Sequence, residues 1–266
     1  MCVATMSCTD RRKSKTGDRI MAAGLKIIYE PKGRAREYAP LALNIYTGCT
    51  HGCKYCYCAK MWKSDDFYKS AKPRRDLMKK VESDSILLEK EFGDKNPEIL
   101  LSFSGDVYQP LEEKLRLTRR VIKTFIQYGL RFTILTKGGP VAQADFDLLA
   151  DYPNCSFGTT LCFIYQDYAD KWEPFSPTIK ERAQAIKKAY DLGIKTWVSL
   201  EPVIDPKQAI RLVEVLHPIV AHWKVGKINH FPEYENLDWV SFREEIRRLF
   251  GRIGTSYYIK KSLTEL

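Results

Sequence analysis

Six short apolar runs alternate with helical patterns along most of the 266-residue chain, and this alternation limits the folds open to it. The runs cover residues 42–47, 98–103, 131–136, 155–161, 195–200 and 222–226. Strands that alternate with helices predict a parallel sheet with right-handed crossovers. Six such units are too few for a closed eight-stranded barrel, so the expected fold is α/β, a partial (β/α)6 TIM-type barrel. Functional side chains are expected just after the strands, at their carboxyl ends.

The helical segments are predicted from the periodicity of their apolar side chains and from residues that cap helix N-termini. Apolar side chains recur at helical spacing in residues 73–92, 111–127 and 177–192. Ser176 with Pro177, and Asp205 with Pro206, predict two helix starts, and Ser241-x-x-Glu244 predicts a capping box that opens the last helix. The expected organisation is a polar, disordered, basic tail over 1–20 and a single domain over 21–266 that ends in a helical extension.

Composition excludes several classes of protein. With 44% hydrophobic residues the chain can bury a core, and eight cysteines are far too few for a disulfide-stapled secreted scaffold. The longest uncharged stretch, residues 38–53, is interrupted by polar residues, glycine and proline, so we expect no membrane-spanning helix. The N-terminus shows no apolar signal region, and the expected location is the cytoplasm.

The net charge of +10 is concentrated in the first 80 residues. Residues 1–40 hold nine basic and four acidic side chains, and residues 54–80 hold nine and three, whereas the other segments are close to neutral. A basic region of this kind attracts a polyanion such as nucleic acid. A solvated basic surface explains the same pattern, so both interpretations stay open.

A cluster of four cysteines follows the first predicted strand. Cys49, Cys53 and Cys56 are spaced x3 and x2, and Cys58 comes two residues later. Thiolates are the ligands of iron–sulfur clusters, and the neighbouring glycines at 48 and 52 allow the backbone to curl around one. Structural zinc usually takes two separated ligand pairs, which this segment does not offer. A fourth cluster ligand could only be Cys58, and an extended backbone would point it away from Cys56.

Several blocks of the sequence resemble the spore photoproduct lyase-like family of radical S-adenosylmethionine (SAM) enzymes, a family also described as DNA repair photolyase-like. The blocks include TGCTHGCKYCY at 47–57, SGDVYQP at 104–110, ILTKGGP at 134–140, WEPFSPTIKERAQAI at 172–186 and KTWVSLEPVI at 195–204. The resemblance implies that Cys49, Cys53 and Cys56 hold a [4Fe–4S] cluster whose fourth iron binds SAM. It also implies a low-potential electron donor of the flavodoxin or ferredoxin type.

The resemblance also implies roles for residues that follow the strands. Ser104, Gly105 and Asp106 form the turn that would hold the SAM amino group, and Lys137 would bind the SAM carboxylate. The other candidates for the cofactor are the cluster-shielding Tyr55 and Tyr57, the ribose-facing Thr159 and Thr160, and the carboxylates Glu201 and Glu173. Each has an ordinary structural explanation as well, as a turn residue, a surface lysine, strand filler or an ion pair.

Three further side chains are candidates for catalysis. Spore photoproduct lyases use an additional cysteine as hydrogen donor, and Cys58 and Cys162 are the two thiols placed to serve; Tyr108 is the third candidate. Cys2, Cys8 and Cys155 are expected to be plain free thiols, and Asn229 and His230 are weaker candidates for substrate contact. The expected substrate is a nucleic acid or nucleotide-like group. The alternatives are a peptide or small metabolite, or a non-enzymatic iron–sulfur or zinc module that binds nucleic acid.

Overall fold

A seven-stranded parallel sheet forms the centre of the protein. The computed structural model describes residues 24–63 and 65–266. The strands are β1 (Leu41–Leu43), β2 (Tyr46–Thr47), β3 (Lys72–Pro73), β4 (Ile99–Leu101), β5 (Phe132–Thr136), β6 (Cys155–Thr160), β7 (Thr196–Val203), β8 (His222–Lys227) and β9 (Ser256–Ile259). The large sheet has the order β1-β4-β5-β6-β7-β8-β9, and β2 pairs with β3 in a separate antiparallel ribbon. Neighbouring strands of the large sheet follow one another in chain order. All crossovers therefore advance in one direction, as in a partial barrel.

Helices connect the strands and cover one face of the sheet. They are α1 (Cys58–Trp62), α2 (Leu77–Phe92), α3 (Leu111–Leu115), α4 (Leu117–Gln127), α5 (Phe146–Ala150), α6 (Gln166–Trp172), α7 (Ile179–Asp191), α8 (Pro206–Leu216), α9 (Trp239–Ile253) and α10 (Lys261–Thr264). No helix of the described residues is long and apolar enough to cross a bilayer.

The predicted fold class is confirmed, and the large sheet has seven strands where six were expected. All six apolar runs contain strands of the large sheet, although the first run divides into β1 and β2. The seventh strand, β9, was not predicted because most of its side chains are exposed. The C-terminal extension is therefore not only helical. The predicted tail over residues 1–20 lies outside the described residues.

Two of the three predicted helix caps were wrong. α7 begins after Thr178, not Ser176, because the Thr178 hydroxyl and the Glu181 carboxylate form a reciprocal capping box. α9 begins after Asp238, whose carboxylate accepts from Ser241 N at 2.9 Å, so Ser241 lies inside the helix. The Asp205 cap of α8 is confirmed by its bonds to the amides of residues 207 and 208.

The inner face of the sheet is filled from β7 and from the segment that precedes β1. The Trp197 indole lies over Gly158 of β6 and contacts Tyr38, which packs in the same small cluster. The 3-10 turn Gly33–Glu37 reaches the last strand, where Glu37 accepts from the Tyr258 hydroxyl at 3.0 Å and from Lys261 N at 2.8 Å. This segment therefore links the first and last strands of the open sheet.

Gly158→Ala is expected to destabilise the protein by about 1–3 kcal/mol, the usual cost of overpacking a core. A Cβ at position 158 would lie 2.1 Å from Trp197 Cε2, and the buried indole has little room to move. Urea unfolding of the purified protein measures the effect. Gly251→Ala in α9 is the control, since a Cβ there meets open space and should stabilise the helix by up to about 1 kcal/mol. Equal stability of the two variants would contradict the prediction.

Candidate active site

The cysteine loop, residues 48–58, follows β2 and is tied to its surroundings by backbone contacts. Gly48 has φ +87°, and a Cβ there would lie 2.1 Å from the Ser70 carbonyl oxygen, so a glycine is required. Cys49 N donates to Phe67 O at 3.0 Å. On its other side the loop touches the turn after β4, where a Cβ on Gly105 would lie 2.8 Å from Gly48 O. The loop is therefore held against the carboxyl end of a neighbouring strand.

All four thiols of the cysteine loop are free. Burial and the charge of Asp106 raise the pKa of Cys49 to about 12, and burial raises the pKa of Cys53. The Cys58 thiol hydrogen-bonds to Cys56, lowering the pKa of Cys56 to about 6 and raising that of Cys58. Because α1 begins at Cys58, the chain is not extended there, so the argument that an extended backbone would point Cys58 away from Cys56 does not apply.

The donor set fits a cluster held by three thiolates. Within the described residues, no group of three His, Cys, Asp or Glu side chains could hold a single metal ion, which is what the zinc alternative requires. A cubane binds each thiolate to a different iron, so its ligands do not converge on one point. Coordination to iron deprotonates a thiol, so the raised pKa values of Cys49 and Cys53 do not prevent these residues from binding a cluster. Cys49, Cys53 and Cys56 are the residues that would hold the cluster.

The turn after β4 is fixed by side chains from two other strands. Asn44 Oδ1 accepts from the amides of Phe103 and Ser104, each at 2.9 Å. Asp106 Oδ1 accepts from Tyr108 N at 2.9 Å and from Thr136 Oγ1 at 2.5 Å, while Oδ2 accepts from Lys137 N at 2.6 Å. The predicted turn thus lies beside the cysteine loop, with the Asp106 carboxylate bonded within the protein.

A group of five buried or half-buried side chains, the inner polar cluster, lies next to the loop: Tyr55, Lys137, Cys162, Glu173 and Arg182. The Tyr55 hydroxyl donates to Glu173 and lies 4.0 Å from Cys162 Sγ. Arg182 is buried, forms an ion pair with Glu173 at 2.6 Å and donates to Thr160 O at 3.0 Å. Burial raises the pKa of Glu173, but the charges of Arg182 and Lys137 outweigh it and hold the pKa below its usual value.

Lys137 is the cation of this cluster that remains available. Its ammonium lies 5.4 Å from the centre of the Tyr55 ring. Burial lowers the pKa of Lys137, but interactions with its acidic neighbours, including the ionised Glu173 carboxylate, outweigh it and raise the pKa above its usual value, so the side chain is charged. Its Nζ has no hydrogen-bond or ion-pair partner in the part of the chain that the structure describes. An available ammonium at a strand end suits the carboxylate role predicted for it.

Other predicted residues lie in different surroundings. The Thr159 hydroxyl donates to Thr136 O at 2.8 Å, between strands, and Tyr108 is buried with its hydroxyl on Asp145 at 3.1 Å. Cys155 donates to backbone carbonyls at the opposite end of β6. The hydroxyls of Thr159 and Tyr108 are therefore bonded within the protein, and Cys155 is a free thiol, as expected. Tyr57 and His230 are exposed, and Asn229 accepts from Arg34 at 2.9 Å.

Glu201 belongs to a second polar group on the inner face of β7–β9. Lys260 Nζ contacts its two carboxylate oxygens at 2.9 and 2.8 Å, and the Tyr38 hydroxyl donates to the same carboxylate. Tyr38 also bonds to Ser199 Oγ at 2.9 Å. The ion-pair explanation for Glu201 is therefore present in the structure, and its cofactor role stays a prediction.

Lys224 lies in this second group without a carboxylate partner. Its Nζ donates to Tyr38 O at 2.5 Å and faces the rings of Tyr38 and Trp197, and no ion pair to it is found among the described residues. Burial lowers its pKa to about 8. A buried lysine of this kind is a source of pH-dependent stability.

We expect Lys224 to contribute a rise in the free energy of unfolding between about pH 8 and 10.5, measured as the difference between the unsubstituted protein and Lys224→Met. In that window the unfolded chain binds the proton that the folded chain has released, so alkalinity favours the folded state. Urea unfolding at pH 7.5 and 9.5 measures this, and Lys224→Met should lack the rise. Lys207→Met, at an exposed position, should behave as the unsubstituted protein does. An equal pH response in the Lys224→Met variant would contradict the assignment.

Sequence reasoning missed four residues of the site: Tyr38, His51, Arg182 and Lys260. His51 lies inside the cysteine motif, and that motif assigns a function only to its cysteines. Its Nδ1 lies 3.5 Å from Asp106 Oδ2, and burial lowers its pKa. In the sequence, Arg182 is indistinguishable from any polar position of an amphipathic helix. No local pattern indicates a role for Tyr38 or Lys260, because their partners are distant in sequence.

Comparison with known families agrees with this geometry. The model of the radical SAM superfamily matches residues 43–217, which is more than half of the chain. The chain belongs to the radical SAM superfamily. The matched segment contains the cysteine loop, the turn after β4 and the inner polar cluster. The resemblance to radical SAM enzymes is confirmed.

Relatives and solved structures extend the comparison. An uncharacterized protein of Methanocaldococcus jannaschii is 31% identical over 166 residues, covering 62% of this chain and 61% of its own length. A protein of Acidianus two-tailed virus is 24% identical, covering 63% and 57%. The chain thus spans about 60% of the length of these curated relatives.

Two solved radical SAM structures share the fold. Spore photoproduct lyase complexed with dinucleoside spore photoproduct superposes with a TM-score of 0.64 at 14% identity, covering 89% of this chain and 79% of that chain. SuiB of Streptococcus suis bound to S-adenosylmethionine gives 0.60 at 13% identity, covering 82% and 46%. At these identities the likeness shows the fold alone, and the partial barrel predicted from the alternating strands and helices is confirmed.

Proposed function

We propose that this radical SAM protein holds a [4Fe–4S] cluster on Cys49, Cys53 and Cys56 and uses it to cleave SAM reductively. The observation that carries the proposal is the position of three free thiols on one curled loop against the carboxyl end of a parallel sheet. When bound, the reduced cluster and SAM supply a 5′-deoxyadenosyl radical that abstracts hydrogen from the substrate. A low-potential donor of the flavodoxin or ferredoxin type would deliver the electron.

The chain's own residues bind and shield these groups. Lys137 has the available charge to bind the SAM carboxylate, and its ammonium lies over the half-buried Tyr55 ring. Cys162 is buried 4.0 Å from the Tyr55 hydroxyl, so this thiol is protected until a substrate reaches it. Burial raises the pKa of Cys162, which keeps the S–H bond that a hydrogen donor needs. The protein supplies position and exclusion, as in other cofactor enzymes.

The proposed substrate is a nucleic acid or nucleotide-like group, in a lyase-like reaction of the DNA repair type. Lys72 and Arg75 are exposed after the cysteine loop, on and beside the small β2–β3 ribbon. Tyr57 and Trp62, at 47% and 45% exposed, present rings from the loop and α1. Exposed rings suit stacking with bases, and exposed basic side chains suit phosphates.

The test begins with anaerobic reconstitution of the full chain with iron and sulfide. Four irons and four sulfides per chain, and 5′-deoxyadenosine formed from SAM and dithionite, are the expected results. Absence of 5′-deoxyadenosine with a full cluster would overturn the proposed chemistry.

The substrate class needs a second measurement. Ultraviolet-treated DNA, intact DNA and RNA should each be tested for binding by gel mobility and for an effect on 5′-deoxyadenosine formation. Lys72→Glu with Arg75→Glu should weaken binding, whereas Lys180→Glu on α7 should not, because that exposed lysine lies outside the basic region. If no nucleic acid changes mobility or rate, the substrate is a peptide or small metabolite instead.

A further inference from the structure

An exposed aromatic ring packs against the cysteine loop. Phe175 lies between α6 and α7 and is 71% exposed, the largest fraction among the exposed large apolar side chains that the structure describes. Its amide donates to His51 O at 3.2 Å, and a Cβ at Gly52 would lie 2.9 Å from Phe175 Cδ2. The hydroxyl of the next residue, Ser176, lies 3.8 Å from Cys53 Sγ. The ring is therefore open to solvent and also adjacent to a predicted cluster ligand.

The two segments that meet at this ring expose basic side chains. Within residues 50–56 and 171–180, the exposed charged side chains are Lys54, Lys171 and Lys180. A hydrogen bond of 2.9 Å from Lys54 N to Trp172 O joins the segments, and no ion pair of the three lysines is found in the described part of the chain. Glu173 is buried in its pair with Arg182, and Asp170 is the nearest exposed acidic residue along the chain. The surface is therefore positive around an apolar centre.

A single exposed apolar residue is common on protein surfaces, so the position of Phe175 carries the argument. The inner side of the cysteine loop faces the turn after β4 and the inner polar cluster, where the proposed function places SAM. The same proposal assigns the exposed face at Tyr57 and Trp62 to the substrate. Electron transfer slows steeply as the distance between redox groups grows, so a donor protein has to bind where the loop reaches the surface. The face at Phe175 is the one left for it.

We propose that Phe175 and its three lysines, the outer patch (Lys54, Lys171, Phe175 and Lys180), form the docking surface for an acidic protein that donates one electron at low potential. The ring would contact the donor beside its redox group, and the lysines would attract its carboxylates. An apolar centre with a charged rim is usual for small transient interfaces, and complementary charge speeds the encounter. The donor is oxidised by one electron and the cluster is reduced by one, and no bond forms or breaks in this step. This inference rests on the proposed function.

Two reductants separate docking from the chemistry that follows it. The rate of 5′-deoxyadenosine formation by the reconstituted full chain is measured with dithionite and, separately, with a limiting concentration of a reduced flavodoxin of strongly negative net charge. Phe175→Ala and Lys54→Glu should each lower the flavodoxin-driven rate about tenfold, the effect of losing a central contact or reversing a rim charge. The dithionite-driven rate should stay within about twofold, because a small reductant needs no docking surface. Iron analysis verifies that each variant holds its cluster.

Matched controls come from the opposite edge of the sheet. Tyr190 is 49% exposed in the last turn of α7, and Lys90 is exposed in the last turn of α2. Because each helix runs back from the carboxyl ends of the strands, both residues lie far from the cysteine loop. Tyr190→Ala and Lys90→Glu should keep both rates. Raising the salt concentration from about 50 to 500 mM should slow the flavodoxin-driven reaction of the unsubstituted protein more than that of Lys54→Glu.

Lys171→Glu repeats the test outside the cysteine loop, in case a variant beside the cluster ligands does not take up iron. It should lower the flavodoxin-driven rate and leave the dithionite-driven rate unchanged. Equal losses with both reductants, or flavodoxin-driven rates that match those of the controls, would overturn the proposal. Absence of product from the unsubstituted protein with dithionite contradicts the proposed function instead, so the two failures are distinguishable.

Discussion

Alanine at Cys49, Cys53 or Cys56 is expected to lower 5′-deoxyadenosine formation by more than about 100-fold. Loss of an outer partner of a metal ligand already costs about 10- to 100-fold, and loss of a ligand itself should cost more. Each variant should also bind less iron after reconstitution, since a cluster held by two thiolates is poorly retained. Iron and sulfide analysis, absorbance of the cluster and product chromatography measure the three effects.

Two other buried thiols provide matched controls for this series. Cys155→Ala removes a thiol of β6 that bonds only to nearby carbonyls, and it should retain both iron and activity. Cys58→Ala should retain iron, although it removes the hydrogen bond to Cys56 that lowers the pKa of that thiol. If Cys58→Ala fails to hold iron, Cys58 is a fourth ligand and the site is closed to SAM.

Arg182→Met is expected to lower the free energy of unfolding by about 3–5 kcal/mol, the cost of leaving one charge of a buried pair without its partner. Arg182 and Glu173 are both buried, and the guanidinium lies 2.6 Å from the Glu173 carboxylate. The substitution also leaves Thr160 O without the donor it has in the folded protein. Urea unfolding of the cluster-free protein under reducing conditions measures the loss.

The double variant Arg182→Met/Glu173→Gln separates the ion pair from simple packing. Its free energy of unfolding should exceed that of Arg182→Met, because the second substitution removes the unpaired charge. Arg211→Met is the surface control: its pair with Glu214 is exposed, and the expected loss is at most about 1 kcal/mol. Additive losses in the double variant would mean that the two charges are not coupled.

Most of the fold could be predicted because its strands are buried and its helices amphipathic. A strand such as β5 lies between two others and buries most of its residues, which produces an apolar run in the sequence. Strand β9 lies at the edge and is largely exposed, so it leaves no such run. The caps of α7 and α9 were misplaced because Ser, Thr and Asp all cap helices, and the backbone decides which of them does so.

The candidate site also has one part that could be predicted from the sequence and another that could not. Three cysteines within eight residues of the chain needed no tertiary information, because local spacing alone brings them to one loop. Other polar pairs join distant segments: Tyr55 bonds to Glu173 across 118 positions, and Tyr38 bonds to Glu201 across 163. Contacts of that separation depend on how the sheet curls and not on any local pattern.

The sequence of this protein was sufficient for its superfamily, its α/β architecture and its candidate cluster ligands. Those features rest on short-range spacing and on the periodicity that burial imposes. Folding alone determined which polar groups satisfy one another. Asp106 accepts from three donors, whereas His51 Nε2 and Lys137 Nζ have no hydrogen-bond partner among the described residues. The physical reason is that hydrogen-bond saturation is a property of the packed structure, in which each buried donor and acceptor takes the partner that the fold places next to it.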